Sequence, residues 1–237
     1  MTQESDPLEA LAAEADTALE DGEYEAALEC FEDLLRQDPE HWGALLGRAE
    51  CLHLLWKSDE ALKAVRALAP PATEEDDPER VELEGMVLET LGRFEEADHL
   101  FAEAHRLAPE DFPLPTRLSA EDFKVMLDKV LASLPRVIRD AVLEVPVLVE
   151  PKPAREVAEH EPAINPEVLG LFVGTPVGQK LRGGSGYGNV VLLFQKNLER
   201  AGRSRQEVSK EMKITLLHEY GHYLGFDEEE LEHLGLG

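Results

Sequence analysis

The sequence predicts an α+β chain in which an all-α repeat solenoid precedes a small α+β domain with a short sheet. Three observations lead there. A pattern of small and aromatic residues recurs along residues 8–110, and prolines interrupt helical periodicity at 111–118. Near the C-terminus one long capped helix carries His218-Glu219-Tyr220-Gly221-His222. The 237 residues suffice for two modest domains, each with its own core.

Within the first region Gly22, Tyr24, Ala27, Phe31 and Pro39 recur 70 residues on as Gly92, Phe94, Ala97, Phe101 and Pro109. A weaker copy lies between them, with Trp56, Ser58, Ala61 and Val65 placed 34 after the first set. Leu11, Ala15 and Ala18 open the first unit, Leu45, Ala49 and Leu52 the second, and Val81, Gly85 and Leu88 the third. Residues 72–78 absorb extra length before the third copy as a loop. The period, the small residues where paired helices touch and the closing prolines resemble the tetratricopeptide repeat. Three repeats and six stacked helices are therefore expected over residues 1–110. The resemblance implies a concave face free to hold a peptide or a protein partner.

Charge narrows that partner. Residues 1–110 hold 30 acidic and 8 basic side chains, a net of −22, whereas the remainder hold 20 and 15, a net of −5. An acidic surface repels nucleic-acid phosphates and anionic membranes and favours basic segments. Helix-A positions offer Arg48 and little other basic character, which disfavours recognition of C-terminal carboxylates. A basic or apolar protein segment is expected on the repeats, with no nucleic acid and no membrane. Cys30 and Cys51 both fall in helical patterns and read as buried small apolar residues, not as a disulfide or metal site. The opening MTQESDPLEA lacks the apolar stretch of a secretory signal, so a cytoplasmic location is expected.

Residues 111–118 form the linker, with two prolines in four residues blocking helix continuation. Ser119 then caps a helix whose apolar residues are Phe123, Met126, Leu127, Val130 and Leu131. Pro135 ends it, and a short helix follows through Val142. Residues 145–149 read as a strand in which Pro146 suits a strand start or an edge. Residues 151–166 are rich in proline and charge and read as a loop, with His160 a surface residue. The glycines of 183–188 lack the Lys-Ser/Thr and the following helix of a phosphate loop, which argues against nucleotide binding. A strand over 189–194 comes next.

The long helix begins at a capping box, Ser204 with Glu207, and ends at Gly225 in the position of a left-handed cap. His218 and His222 stand four residues apart, so both imidazoles share one face and can reach a single ion. Glu219 points to the adjacent face, where it can touch a metal-bound water as a general base. Ile214, Leu216, Leu217, Leu224 and Phe226 make the surroundings apolar, and buried histidines need partners that a metal supplies. Asp227 and Glu228 follow nine and ten residues after His218, where a third ligand can arrive. His233 is a rival for that place.

Residues 119–237 resemble the small bacterial zincin-like metallopeptidase family, the minimal zincins. The likeness is carried by SAEDFKVMLDKVLASLP, VPVLVEPKP, LGLFVGTP, the SGYG segment at 185–188, the strand behind it and the HExxHxxG helix. It implies His218 and His222 as zinc ligands, Glu219 as the catalytic glutamate and Glu228 as third ligand. The family's usual aspartate at that position is absent here, and Asp227 one residue earlier is the alternative. The resemblance also places Tyr187 near the cleft as an oxyanion donor, and the strand at 189–194 as an edge for an extended substrate. It implies a peptidase holding one Zn²⁺. The rival expectation is a protein-interaction adaptor whose zincin-like half is vestigial or structural.

Overall fold

The computed structural model describes residues 7–68, 77–158, 164–177 and 188–233. Their elements are helices α1 Pro7–Glu20, α2 Tyr24–Gln37, α3 Trp42–Leu54, α4 Ser58–Ala67, α5 Pro78–Thr90 and α6 Phe94–Leu107. Next come α7 Ala120–Ser133, α8 Arg136–Ala141, strand β1 Val147–Glu150, the short α9 Arg155–Ala158 and β2 Gly170–Val173. The chain continues through β3 Val190–Phe194, α10 Gln195–Ala201, α11 Arg205–Leu224 and α12 Glu228–His233. Two compact units result: residues 1–114 with 154–166, and residues 115–153 with 167–237. No helix among the described residues is long and apolar enough to cross a membrane.

In the repeat unit the six helices follow the recurring sequence pattern. Each pair turns through one left-handed residue, at φ 77° for Gly22, 60° for Trp56 and 75° for Gly92. The same 6→1 bond closes each turn: Glu23 N–H to Ala18 O, Lys57 N–H to Leu52 O and Arg93 N–H to Leu88 O. Glycine adopts this conformation without cost, whereas a tryptophan there sacrifices about 1–2 kcal/mol. Trp56 keeps it while its indole N–H donates to Ile164 O at 2.8 Å, in the 154–166 segment of the same unit. Beside it, Asn165 Nδ2 donates to Tyr24 Oη at 2.8 Å. The sequence reading placed these residues in the C-terminal domain; their partners are on the repeats.

Small residues let large ones in. A methyl added at Gly47 would lie 2.4 Å from the Phe31 ring, and one at Gly85 2.8 Å from the Phe101 ring. Ala27, Ala61 and Ala97 are fully buried, with Phe31, Val65 and Phe101 packed one turn further on. Cys51 is buried and Cys30 half-buried, both as free thiols. Burial, reinforced by Glu50, pushes the Cys51 thiol up to about 12.

The C-terminal unit packs its helices on a three-stranded sheet of order β1-β3-β2 among the described residues. β1 runs parallel to β3 with Val147 opposite Val191, and β2 runs antiparallel to it with Phe172 opposite Val191. This corrects the expectation that the strand at 189–194 offers an edge. β3 is the central strand because its Val191, Leu193 and Phe194 are the buried ones, and the exposed edges fall to the shorter β1 and β2. Ser119 caps α7 by accepting from Asp122 N–H. Phe123, Leu127 and Val130 of α7 then meet Leu198 of α10 and Val208, Met212, Leu216 and Tyr220 of α11 over β3.

One buried carboxylate fastens the start of this unit. Glu199 on α10 has no solvent exposure and accepts from Leu118 N–H, Gln195 Nε2, Lys196 Nζ and Arg117 Nη1. Four donors around one charge satisfy the condition for burying it.

Candidate active site

α11 positions the site. Ser204 Oγ accepts from Glu207 N–H at 3.3 Å, while the Glu207 carboxylate accepts from Arg203 N–H at 2.8 Å. The reciprocal half of the expected capping box thus falls one residue earlier. At the other end Gly225 is left-handed at φ 98°, and Phe226 N–H closes the turn on Gly221 O. Leu231 of α12 fills the space beside Gly221, where an added methyl would come within 2.4 Å of its side chain. The HExxH turn therefore sits between a packed core and a capped end.

His218 and His222 are brought together as expected. Their Nε2 atoms are 2.9 Å apart, with ring centroids separated by 4.5 Å and planes nearly perpendicular. His222 Nδ1 faces Phe226 O at 3.3 Å. One assignment fits both contacts: His222 donates from Nδ1 to the carbonyl, leaving its Nε2 lone pair toward His218. An outer carbonyl that fixes the tautomer in this way is what a metal-ligating imidazole requires. Two nitrogens on a tetrahedral zinc at its ordinary bond length stand about 3.3 Å apart. The pair needs to open by only about 0.4 Å to hold such an ion, so the two histidines fit the metal their pattern implies.

Glu219 is 93 % buried, and its carboxylate accepts a 2.6 Å hydrogen bond from Phe172 N–H on β2. Tyr220, the next residue, faces the core, where burial pushes its phenol up to about 12. Tyr223 packs on Phe172 with ring centroids 5.6 Å apart.

Among the described residues no group of three His, Cys, Asp or Glu side chains is poised for a metal. Asp227 caps α12 by accepting from Glu230 N–H at 2.9 Å, and Glu230 in return accepts from Asp227 N–H at 3.1 Å. Glu228 occupies the first helical position behind that cap, but its side chain lies outside the described residues. Tyr187 also lies outside them. His233 is exposed and engages Glu229 O at 2.6 Å. The contact with β2 is what the sequence reading missed. Its one sequence signal is Gly170, a glycine opening a strand, which marks a close backbone approach.

Residues 142–237 match the zincin-like metallopeptidase family model, and residues 12–77 match a tetratricopeptide repeat model. Residues 142–237 are a zincin-like domain, and tetratricopeptide repeats at 12–77 precede it. The repeat match ends where α5 begins; beyond it Gly85 lies against Phe101 as Gly47 lies against Phe31. The zincin match begins at Val142, after α7 and α8. No curated protein matches the chain.

Proposed function

We propose that the chain is a zinc-dependent metallopeptidase whose repeats bind a protein partner. The observation that carries the reading is the convergence of His218 and His222 Nε2 beside a buried, hydrogen-bonded glutamate. In this reading His218 and His222, with the Glu228 carboxylate or Asp227 as alternative, hold one Zn²⁺. When bound, that ion polarises a peptide carbonyl and lowers the pKa of its water to about 7. Glu219 takes the water's proton on its carboxylate and passes it to the leaving amine nitrogen as the C–N bond breaks. Burial of Glu219 by β2 keeps bulk water from competing for that proton. Tyr187 is the proposed oxyanion donor. Among the described residues β3 is flanked on both sides, so an extended peptide finds no free edge there.

The repeats supply the second half of the reading: an acidic face suited to a basic or apolar protein segment. Asp16 on α1 and Glu79 on α5 together raise the Glu50 carboxyl on α3, behind the larger effect of its burial. Three first helices thus turn carboxylates toward common ground, which favours cationic partners and disfavours nucleic acid. A cytoplasmic location remains the reading drawn from the sequence.

The test is metal content by mass spectrometry on untagged protein, with cleavage of a mixed peptide library. Wild type should carry about one zinc per chain, His222→Ala should lose it, and Glu219→Gln should keep the metal but lose cleavage. Equal metal loss in Glu219→Gln removes the catalytic assignment. A zinc-loaded wild type that cleaves nothing makes the chain an adaptor with a structural metal.

A further inference from the structure

We propose that β2 is the orienting element for Glu219, acting through the Phe172 main-chain N–H and through the missing side chain of Gly170. This inference rests on the metallopeptidase reading and names positioning groups within its site.

The strand alternation decides which way the Phe172 donor points. Phe194 N–H of β3 donates to Leu169 O, so Leu169 turns its main-chain groups toward β3. Residues Leu171 and Val173 follow it, while Gly170 and Phe172 turn theirs to the outer edge. There no strand among the described residues bonds Phe172 N–H, and the Glu219 carboxylate accepts it at 2.6 Å. A bond this short between an amide and a carboxylate is the charge-assisted kind, and it fixes one oxygen of the pair. The other oxygen is then directed by the same geometry.

Gly170 makes the approach possible. A methyl at this position would stand 2.5 Å from Thr215 Cγ2, 3.1 Å from Leu192 O and 3.3 Å from Glu219 Cγ. Two of those neighbours belong to α11, on the turns that carry the base, so any side chain drives β2 and the helix apart. The Phe172 ring, tilted at 59° against that of Tyr223, holds the far end of the same contact. A glycine, an edge amide and an aromatic pair thus set the distance between the strand and the proposed base.

The experiment uses the full chain labelled with ¹⁵N-phenylalanine, observed at neutral pH with and without zinc. The Phe172 amide proton should resonate far downfield and exchange slowly in wild type. In Glu219→Ala and in Gly170→Ala it should move upfield and exchange about tenfold faster or more, with the other phenylalanine amides in place. On a peptide taken from the library, zinc-loaded Gly170→Ala should lose about ten- to a hundredfold in kcat with KM and zinc content unchanged. Gly170→Ala with Thr215→Ser, which removes the methyl that the new Cβ meets, should return the Phe172 amide and kcat toward wild type; if Gly170→Ala alone does not fold, the Glu219→Ala spectrum decides. An unmoved Phe172 amide in Glu219→Ala overturns the proposal even where peptides are cleaved. A moved amide in a protein that cleaves no peptide upholds the placement of Glu219 by β2 and retires the peptidase reading instead.

Discussion

In the repeat unit each important contact is built more than once. Ala27, Ala61 and Ala97 occupy equivalent buried places, and the bond closing each helical turn recurs three times with nearly the same length. In the C-terminal unit nothing of the kind recurs. Glu199, Glu219 and the histidine pair each occur once, and the two carboxylates depend on partners distant in sequence, Leu118 for Glu199 and Phe172 for Glu219. A repeated contact tolerates variation in one copy, as Trp56 at a glycine's place illustrates. An unrepeated one has no second copy to lean on, so the two halves should fail differently when cut.

The largest effect is expected from the repeats. Phe101→Ala removes a 1 %-exposed ring that fills the space over Gly85. It should cost about 3–5 kcal/mol in urea unfolding, because the glycine opposite cannot fill the cavity. The loss should appear in the transition of the repeat unit and leave zinc content unchanged. A joint loss of metal would erase the contrast between the halves.

Ser204→Ala sharpens the same contrast from the other side. It removes the cap of the helix that carries the site, at an expected cost of about 1 kcal/mol. Because the histidines lie on later turns of α11, zinc content should persist, with faster hydrogen exchange confined to the first turn. Loss of zinc on this change would mean that the helix acts as one cooperative piece from cap to site.

The repeats were legible in the sequence because a period shows itself at every copy. The HExxH turn was legible because both ligands lie within one turn of a single helix, where spacing alone fixes the face. What could not be read is the part of the site that crosses elements. Nothing local marks the Phe172 amide as the partner of Glu219, since a main-chain donor has no residue type, and only Gly170 hints at the approach. The central place of β3 was hidden for a related reason: a short apolar strand reads the same at an edge or in the middle until its neighbours are known. The placing of Ile164 and Asn165 on the repeats was hidden too, because the loop that carries them has no periodic pattern to betray its partner.

The smallest effect concerns an ion pair that joins the starts of α7 and α11. Arg205 donates to Asp122 at 3.0 Å, and this bond, with the charge behind it and the Ser119 hydroxyl, lowers the Asp122 carboxyl below its ordinary 3.8. A carboxyl whose folded value is depressed stabilises the fold above its unfolded value and loses that contribution as pH falls through the folded one. Asp122→Asn should therefore lower the urea midpoint of the C-terminal unit slightly at neutral pH. The difference from wild type should shrink with added salt, because both groups are exposed to solvent, and should vanish in acid well below 3.8. A difference that survives at low pH would assign the effect to the helix cap that Asp122 shares with Ser119, not to its charge. The two small changes would then measure the same thing, namely how firmly the unrepeated half is pinned at its helix starts.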